Sequence, residues 1–351
     1  MGSYSVAVIG TGPHPGTGSH DGYSMGYRHA TGYRAAEGCE IEACADIVPE
    51  NAEAFVGEQG LDADRAYTDH RRMLDEVEPD IVSVCTPPST HYDLVADCAD
   101  HDAVRAIHCE KPMAITFGES RAIVEVCADR DVRLTINLQN RCSGGVREVK
   151  RLVQGGAIGD LQRIEVARHD LLQTGIHHID LANHLTDDSP IEWVLGQVDY
   201  PEEHLWYTGM HAETQSLGTW KYDTGVYGLC STGAGMDAVG RSTNQVIGTD
   251  GRVEMDLAHH EFSYRTPDSD GWQPIEVDDR SPQVNAICEV VAALDRGGES
   301  PLRGENALAA TEVVYAIWES ARRRGRVDLP LDIDDNPLQD LVESGRLPPR
   351  G

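Results

Sequence analysis

The chain of 351 residues predicts two units: an α/β doubly wound parallel sheet, then an α+β domain on a large, mostly antiparallel, open-faced sheet. Three observations carry this. Short apolar runs alternate with amphipathic segments through the first third, the pattern of parallel strands joined by crossover helices. A glycine turn follows the first run, at Gly10-Thr11-Gly12. Beyond about residue 145 the helices give way to long alternating stretches that fit strands with one buried face. The boundaries expected are 1–140 for the first unit, 141–330 for the second and 331–351 for a Pro- and Asp-rich tail lying over the surface. Two units also suit the length, because single cores stop growing near roughly 250 to 300 residues.

In order, Val6–Ile9, Ile41–Ala45, Ile81–Cys85, Val104–His108 and Val132–Ile136 read as strands, and segments near 49–58, 69–76, 89–101 and 116–129 as helices. In the second half a helix carries His177, and Trp220–Leu229 and Gln245–Met255 alternate as strands, the latter around a hairpin-like Thr249-Asp250-Gly251. Helices near 281–297 and 304–324 close the pattern.

The glycine turn lets a chain bend tightly and lets a dinucleotide pyrophosphate approach the backbone at a helix N-terminus. Pro15 stands where a third glycine belongs, so 13–25 reads as an insertion, with Gly26-Tyr27-Arg28-His29-Ala30 resuming the helix. About 20 residues beyond Gly26, Asp46 ends the second strand, the place of an acid that binds ribose hydroxyls. No arginine follows in Ile47-Val48-Pro49-Glu50, which favours NAD over NADP. His14, His20 and His29 are expected to decorate a loop over the cofactor.

With 59 acidic against 29 basic residues the net charge is -30, which argues against nucleic acid or an anionic membrane as partner. Such an acid excess with clear apolar periodicity fits a folded protein adapted to high salt, where screening shortens to about 3 Å at molar strength. Nine cysteines without a CxxC pair read as buried thiols in a reducing compartment. The first residues run straight into a strand, so a soluble cytoplasmic protein is expected.

Only three lysines occur, and one, Lys111, sits in Glu110-Lys111-Pro112. In Gly175–Leu185, His177, Asp180 and His184 fall at i, i+3, i+7, hence on one helix face. Lysine, histidine and carboxylate together suit proton transfer. The cluster with His178 is also a candidate zinc set, although a fourth ligand is not evident, and no metal is expected.

Taken in order, Val8–Gly12, Asp46, Cys85-Thr86-Pro87-Pro88-Ser89-Thr90-His91, Glu110-Lys111-Pro112 and Gly175–Asp180 resemble the glucose-fructose oxidoreductase, inositol dehydrogenase and rhizopine-catabolism (Gfo/Idh/MocA) family. The likeness runs from about residue 4 to 331 and includes Ile247–Gly251 and Glu305–Glu312. It implies a Rossmann domain and an NAD(P)-dependent oxidoreductase acting on CH-OH groups of a small sugar, inositol-like polyol or sugar derivative. It makes Lys111 the catalytic lysine and His177 the catalytic histidine, with Thr86, Pro87, His91 and Glu110 at the cofactor cleft. Assembly as a homodimer or homotetramer through the C-terminal sheet is expected.

Two departures stand out. Gln173 occupies the place of an aspartate four residues before the histidine, so the Asp/Lys/His relay lacks its carboxylate. The loop before it is short, running through Val166–Leu172, and places Asp170 seven residues from His177 as a candidate for the missing group. Trp206, Tyr207, Trp220 and Tyr222 are candidates to pack on sugar faces. Rival readings are an NAD-dependent glycoside-cleaving enzyme working by oxidation and elimination, marked by a tightly held cofactor and no net NADH, and a non-catalytic NAD-binding regulator.

Overall fold

The computed structural model describes residues 3–15, 24–203, 205, 209–233, 236, 244–278 and 280–348. The chain forms two units: Met1–Ala114, Glu119–Cys142 and Arg280–Glu305 make the first, and Ile115–Gly118, Ser143–Asp279 and Asn306–Gly351 the second. The division is not the linear one expected, since Ile115–Gly118 also falls in the second unit. Residues 280–305 return to the first unit, and the tail belongs to the second.

In the first unit, β1 (Tyr4–Ile9), β2 (Cys39–Ala45), β3 (Ala66–Tyr67), β4 (Ile81–Val84), β5 (Ala106–Cys109) and β6 (Arg133–Ile136) form one sheet in the order β3-β2-β1-β4-β5-β6. Every pairing is parallel. Val6, Val8, Ile81, Val82, Val84 and Ile107 are fully buried, because crossover helices cover both faces. Those crossovers are α1 (Met25–Ala35), α2 (Pro49–Gln59), α3 (His70–Val77), α4 (His91–Ala99) and α5 (Phe117–Asp129). Local signals set their ends: the Asp69 carboxylate accepts the Arg71 and Arg72 N–H groups at the start of α3, and Gly60 closes α2 with φ 72°. The helix Pro282–Arg296 (α8) joins this unit through Ile287, which packs so tightly on Gly32 of α1 that a Cβ there would lie 2.5 Å away.

The second unit has a nine-stranded sheet, ordered β14-β13-β12-β11-β7-β10-β9-β8-β15. Its strands are β7 (Leu161–Arg168), β8 (Ile191–Asp199), β9 (Gln215–Tyr222), β10 (Tyr227–Gly233), β11 (Asn244–Gly248), β12 (Arg252–Asp256), β13 (Glu261–Arg265), β14 (Gln273–Pro274) and β15 (Val327–Asp328). The sheet is antiparallel except for β7 against β10. Strand β9 alternates strictly: Ser216, Gly218, Trp220 and Tyr222 face inward while Leu217 is 57% exposed. Thr249-Asp250-Gly251 makes the expected hairpin, and Trp220–Leu229 is not one strand but a second hairpin turning at Asp223–Gly225. Helix α6 (Gly144–Gln154) was not expected, and α7 (Ile176–Leu185) and α9 (Gly304–Arg323) were. The tail carries helix α10 (Pro337–Glu343), capped by Asn336 and anchored by buried Leu338 and Leu341, so it is folded structure. Among the described residues no helix is long and apolar enough to cross a membrane, and none of the nine cysteines is joined in a disulfide.

Candidate active site

At the carboxyl edge of the parallel sheet, Gly10 and Gly12 adopt φ of 83° and 67°, a region that L side chains rarely enter. A Cβ on Gly10 would lie 2.5 Å from Thr86 Cγ2, so the turn after β1 packs directly on the loop after β4. A Cβ on Gly26 would lie 2.9 Å from Thr11 Cα, which brings α1 against the same turn. The Ser24 hydroxyl donates to the Pro13 carbonyl at 2.6 Å and pinches the base of the inserted loop, whose residues 16–23, His20 among them, lie outside the described residues.

Asp46 is buried here. Its Oδ2 accepts the Gly12 N–H at 2.9 Å and the Thr11 hydroxyl at 3.1 Å, and its Oδ1 accepts the Val48 N–H at 2.9 Å and the Asn51 amide at 3.3 Å. The carboxylate thus ties the glycine turn to the start of α2.

Thr86 and Pro87 form the loop after β4, which Thr90 holds through bonds to the Thr86 hydroxyl (2.8 Å) and the Pro87 carbonyl (2.9 Å). The His91 ring is fully buried and lies between the carbonyls of Thr86 (2.8 Å), Pro112 (3.0 Å) and Met113 (3.1 Å). It joins this loop to the Glu110-Lys111-Pro112 segment at the end of β5.

Glu110 is buried as well. Its Oε1 meets His29 Nε2 at 2.9 Å and accepts from Asn137 Nδ2 at 2.6 Å, and its Oε2 accepts the Lys111 N–H at 3.2 Å. Burial alone would raise its pKa, but the His29 bond and charge, Asn137 and the Lys111 charge pull it down to about 2. His29 therefore does not decorate a loop. It is buried in α1, with Nδ1 on the Ser83 hydroxyl at 3.0 Å, because a histidine three residues after the close-packed Gly26 points into the sheet. His14 is on the surface and pairs with Glu58 at 2.7 Å.

In the second unit, a π-helical turn, Leu171–Gly175, precedes α7 and carries Gln173. Asp170 caps it: Oδ1 accepts the N–H groups of Gln173 (2.6 Å) and Thr174 (3.1 Å), and Oδ2 the Thr174 hydroxyl (3.1 Å). Asp170 is thus engaged in holding backbone. His177, Asp180 and His184 do lie on α7, as their spacing predicts, with Asp180 1% exposed. The lysine beside His184 is Lys150, whose Nζ donates to the His184 carbonyl at 2.8 Å and pairs with Asp187 at 2.9 Å. Burial, then the charge of Arg168, push His178 down to about 3, so the ring is neutral; it accepts from Arg168 Nε and donates from Nδ1 to Asn244 Oδ1. Among the described residues no three His, Cys, Asp or Glu side chains converge as metal ligands would.

Trp220 and Tyr222 are fully buried core residues, which removes them as sugar platforms, while Trp206 and Tyr207 lie outside the described residues. Lys111 belongs to the first unit and Gln173, His177 and Asp180 to the second. Sequence reading missed Glu213, 1% exposed, which accepts the Leu171 N–H at 2.6 Å. No local pattern marks it, since it stands far along the chain from the turn it holds.

Residues 5–138 match the model of an oxidoreductase family, GFO_IDH_MocA, with NAD-binding Rossmann fold. The NAD-binding domain is that of the Gfo/Idh/MocA oxidoreductase family. Inositol 2-dehydrogenase of Rhizobium meliloti is 23% identical over 321 residues, covering 82% of this chain and 91% of its own length. Inositol 2-dehydrogenase 3 of Saccharopolyspora erythraea is 29% identical over 325 residues, covering 86% and 90%. A solved levoglucosan dehydrogenase, in complex with NADH and levoglucosan, matches with TM-score 0.79 at 19% identity over 94% of this chain and 100% of its own, a likeness of fold. The first unit thus carries an NAD-binding Rossmann domain, and the residues present fit that group. Gly10 and Gly12 take the positive φ that such a turn needs, and the Asp46 carboxylate accepts the Gly12 N–H at the same turn.

Proposed function

We propose that this protein is an NAD-preferring dehydrogenase that oxidises a secondary hydroxyl of a sugar, an inositol-like polyol or a sugar derivative. The carrying observation is that one sheet edge holds both the Asp46 carboxylate on the glycine turn and Lys111 at the end of β5. The names of the inositol and levoglucosan dehydrogenases support the substrate class.

Asp46 already accepts four hydrogen bonds, and the longest two, from the Thr11 hydroxyl (3.1 Å) and the Asn51 amide (3.3 Å), are those a ribose diol would displace. A 2'-phosphate would meet the carboxylate instead, and like charges repel. Bound NAD supplies a hydride acceptor. Lys111 is the proposed base for the hydroxyl proton and His177 the proposed hydrogen-bonding partner of the reacting oxygen, with Gln173 holding a neighbouring hydroxyl and Asp180 supporting from the same helix.

A panel of sugars and inositols, assayed for NADH formation in molar KCl, tests the reading. Oxidation of at least one member is expected, and no turnover with any would reject it. Titration of NAD and NADP against the apoprotein should show tighter NAD, and equal binding would remove Asp46 from the ribose.

A further inference from the structure

Beneath the π-helical turn lies a carboxyl pair that the proposed reaction does not use. Glu213, on the segment entering β9, accepts the Leu171 N–H at 2.6 Å on Oε1 and the Trp318 indole N–H at 3.3 Å on Oε2. Asp170, 4% exposed, accepts the Gln173 and Thr174 N–H groups. Two buried carboxyl groups thus hold three of the turn's N–H donors. Asp170, Gln173, Glu213 and Trp318 line one cavity of about 10 Å³, room for a single water at most.

We propose that Glu213 is a positioning residue of this site: it fixes the start of the turn that presents Gln173 and leads into His177, and its presence is why position 173 bears an amide. A carboxylate at 173 would be a third acid in a buried cavity that already holds two, whereas an amide adds hydrogen bonds and no charge. Burial, then the charge of Asp170, push Glu213 up to about 8, so it is protonated through the neutral range. The groups facing it are Asp170 from the turn, Cys230 from β10, whose thiol burial pushes up to about 12, His211 from its own segment, bound to the Tyr200 hydroxyl at 2.8 Å, and Trp318 from α9. Arg168 at the end of β7 interacts electrostatically with Asp170. Because the folded pKa is raised, the stability this group contributes is present below the ordinary value of 4.5 and is lost as pH rises through about 8. Ionisation there puts a second charge beside Asp170 and loosens the turn.

The kinetic part of the test rests on the dehydrogenase reading; the optical part does not. In the full-length protein, kcat should fall above a break near pH 8, the break should vanish in Glu213→Gln, and NAD affinity should stay the same. Gln173→Asp should lower kcat by roughly tenfold or more alone and by less than about threefold in the Glu213→Gln background, a coupling that independent sites would not show. The same break in both proteins, with Gln173→Asp equally harmful in both backgrounds, would overturn the proposal. Independently of any substrate, the fluorescence difference between the wild type and Trp318→Phe should titrate near pH 8 and lose that titration in Glu213→Gln. Its absence in the wild type would overturn the proposal even if no substrate were ever turned over, and its presence with an inactive panel would reject the dehydrogenase reading alone.

Discussion

Two of the three lysines have structural roles: Lys150 caps the end of α7 and Lys221 pairs with Glu192 at 2.7 Å. Lys111 is different, because the residue before it is a buried carboxylate locked by His29 and Asn137, so the backbone that carries the amine is fixed. A fixed base avoids the reorganisation that a mobile one needs. Lys111→Ala is therefore expected to lower kcat by roughly two orders of magnitude with little change in NAD affinity. His177→Ala should lose a comparable or smaller factor. Steady-state kinetics beside equilibrium NAD binding separates the two effects, and a loss confined to NAD affinity would remove Lys111 from the chemistry.

The π-helical turn is the element that carries Gln173 and leads into His177. A π turn widens the helix and leaves its first N–H groups without helical partners, so it persists only where something else accepts them. Asp170 and Glu213 do that here. Asp170→Ala would leave two of those donors without acceptors, at about 1–3 kcal/mol for each buried group. The expected outcome is a melting temperature lower by several degrees and a kcat at least about tenfold lower, with NAD affinity retained. An unchanged melting curve would show that the turn does not need its cap.

For the whole molecule, 59 acidic against 29 basic residues give -30, and self-repulsion of that size should make folding depend on screening and cation binding. The melting temperature should climb steeply from dilute buffer to molar KCl, and a flat profile would remove the high-salt reading. On the open face of the second sheet, Leu195 (45% exposed), Leu217 (57%) and Tyr227 (42%) leave apolar area in water, which supports the proposed homodimer or homotetramer through that sheet. Leu217→Glu should shift the sedimentation of the wild type to a smaller species. A monomeric wild type would refute the assembly.

The sequence by itself determined what depends on neighbours along the chain. Strand and helix periods located five of the six parallel strands, and the glycine turn, Gly26 and Asp46 were legible because φ preference and the spacing to the next strand end are local quantities. Among the elements that escaped are the two-residue β3, because two residues show no period, the strand β8 and the helices α6 and α10. Only the tertiary structure returned α8 to the first unit, buried His29 against Glu110, made Trp220 and Tyr222 core, engaged Asp170 as a cap and brought Glu213 beneath Gln173. Each of those is a contact between residues far apart in sequence. Their energy comes from burial and hydrogen bonding that exist only once the sheets have formed, so no window along the chain contains them.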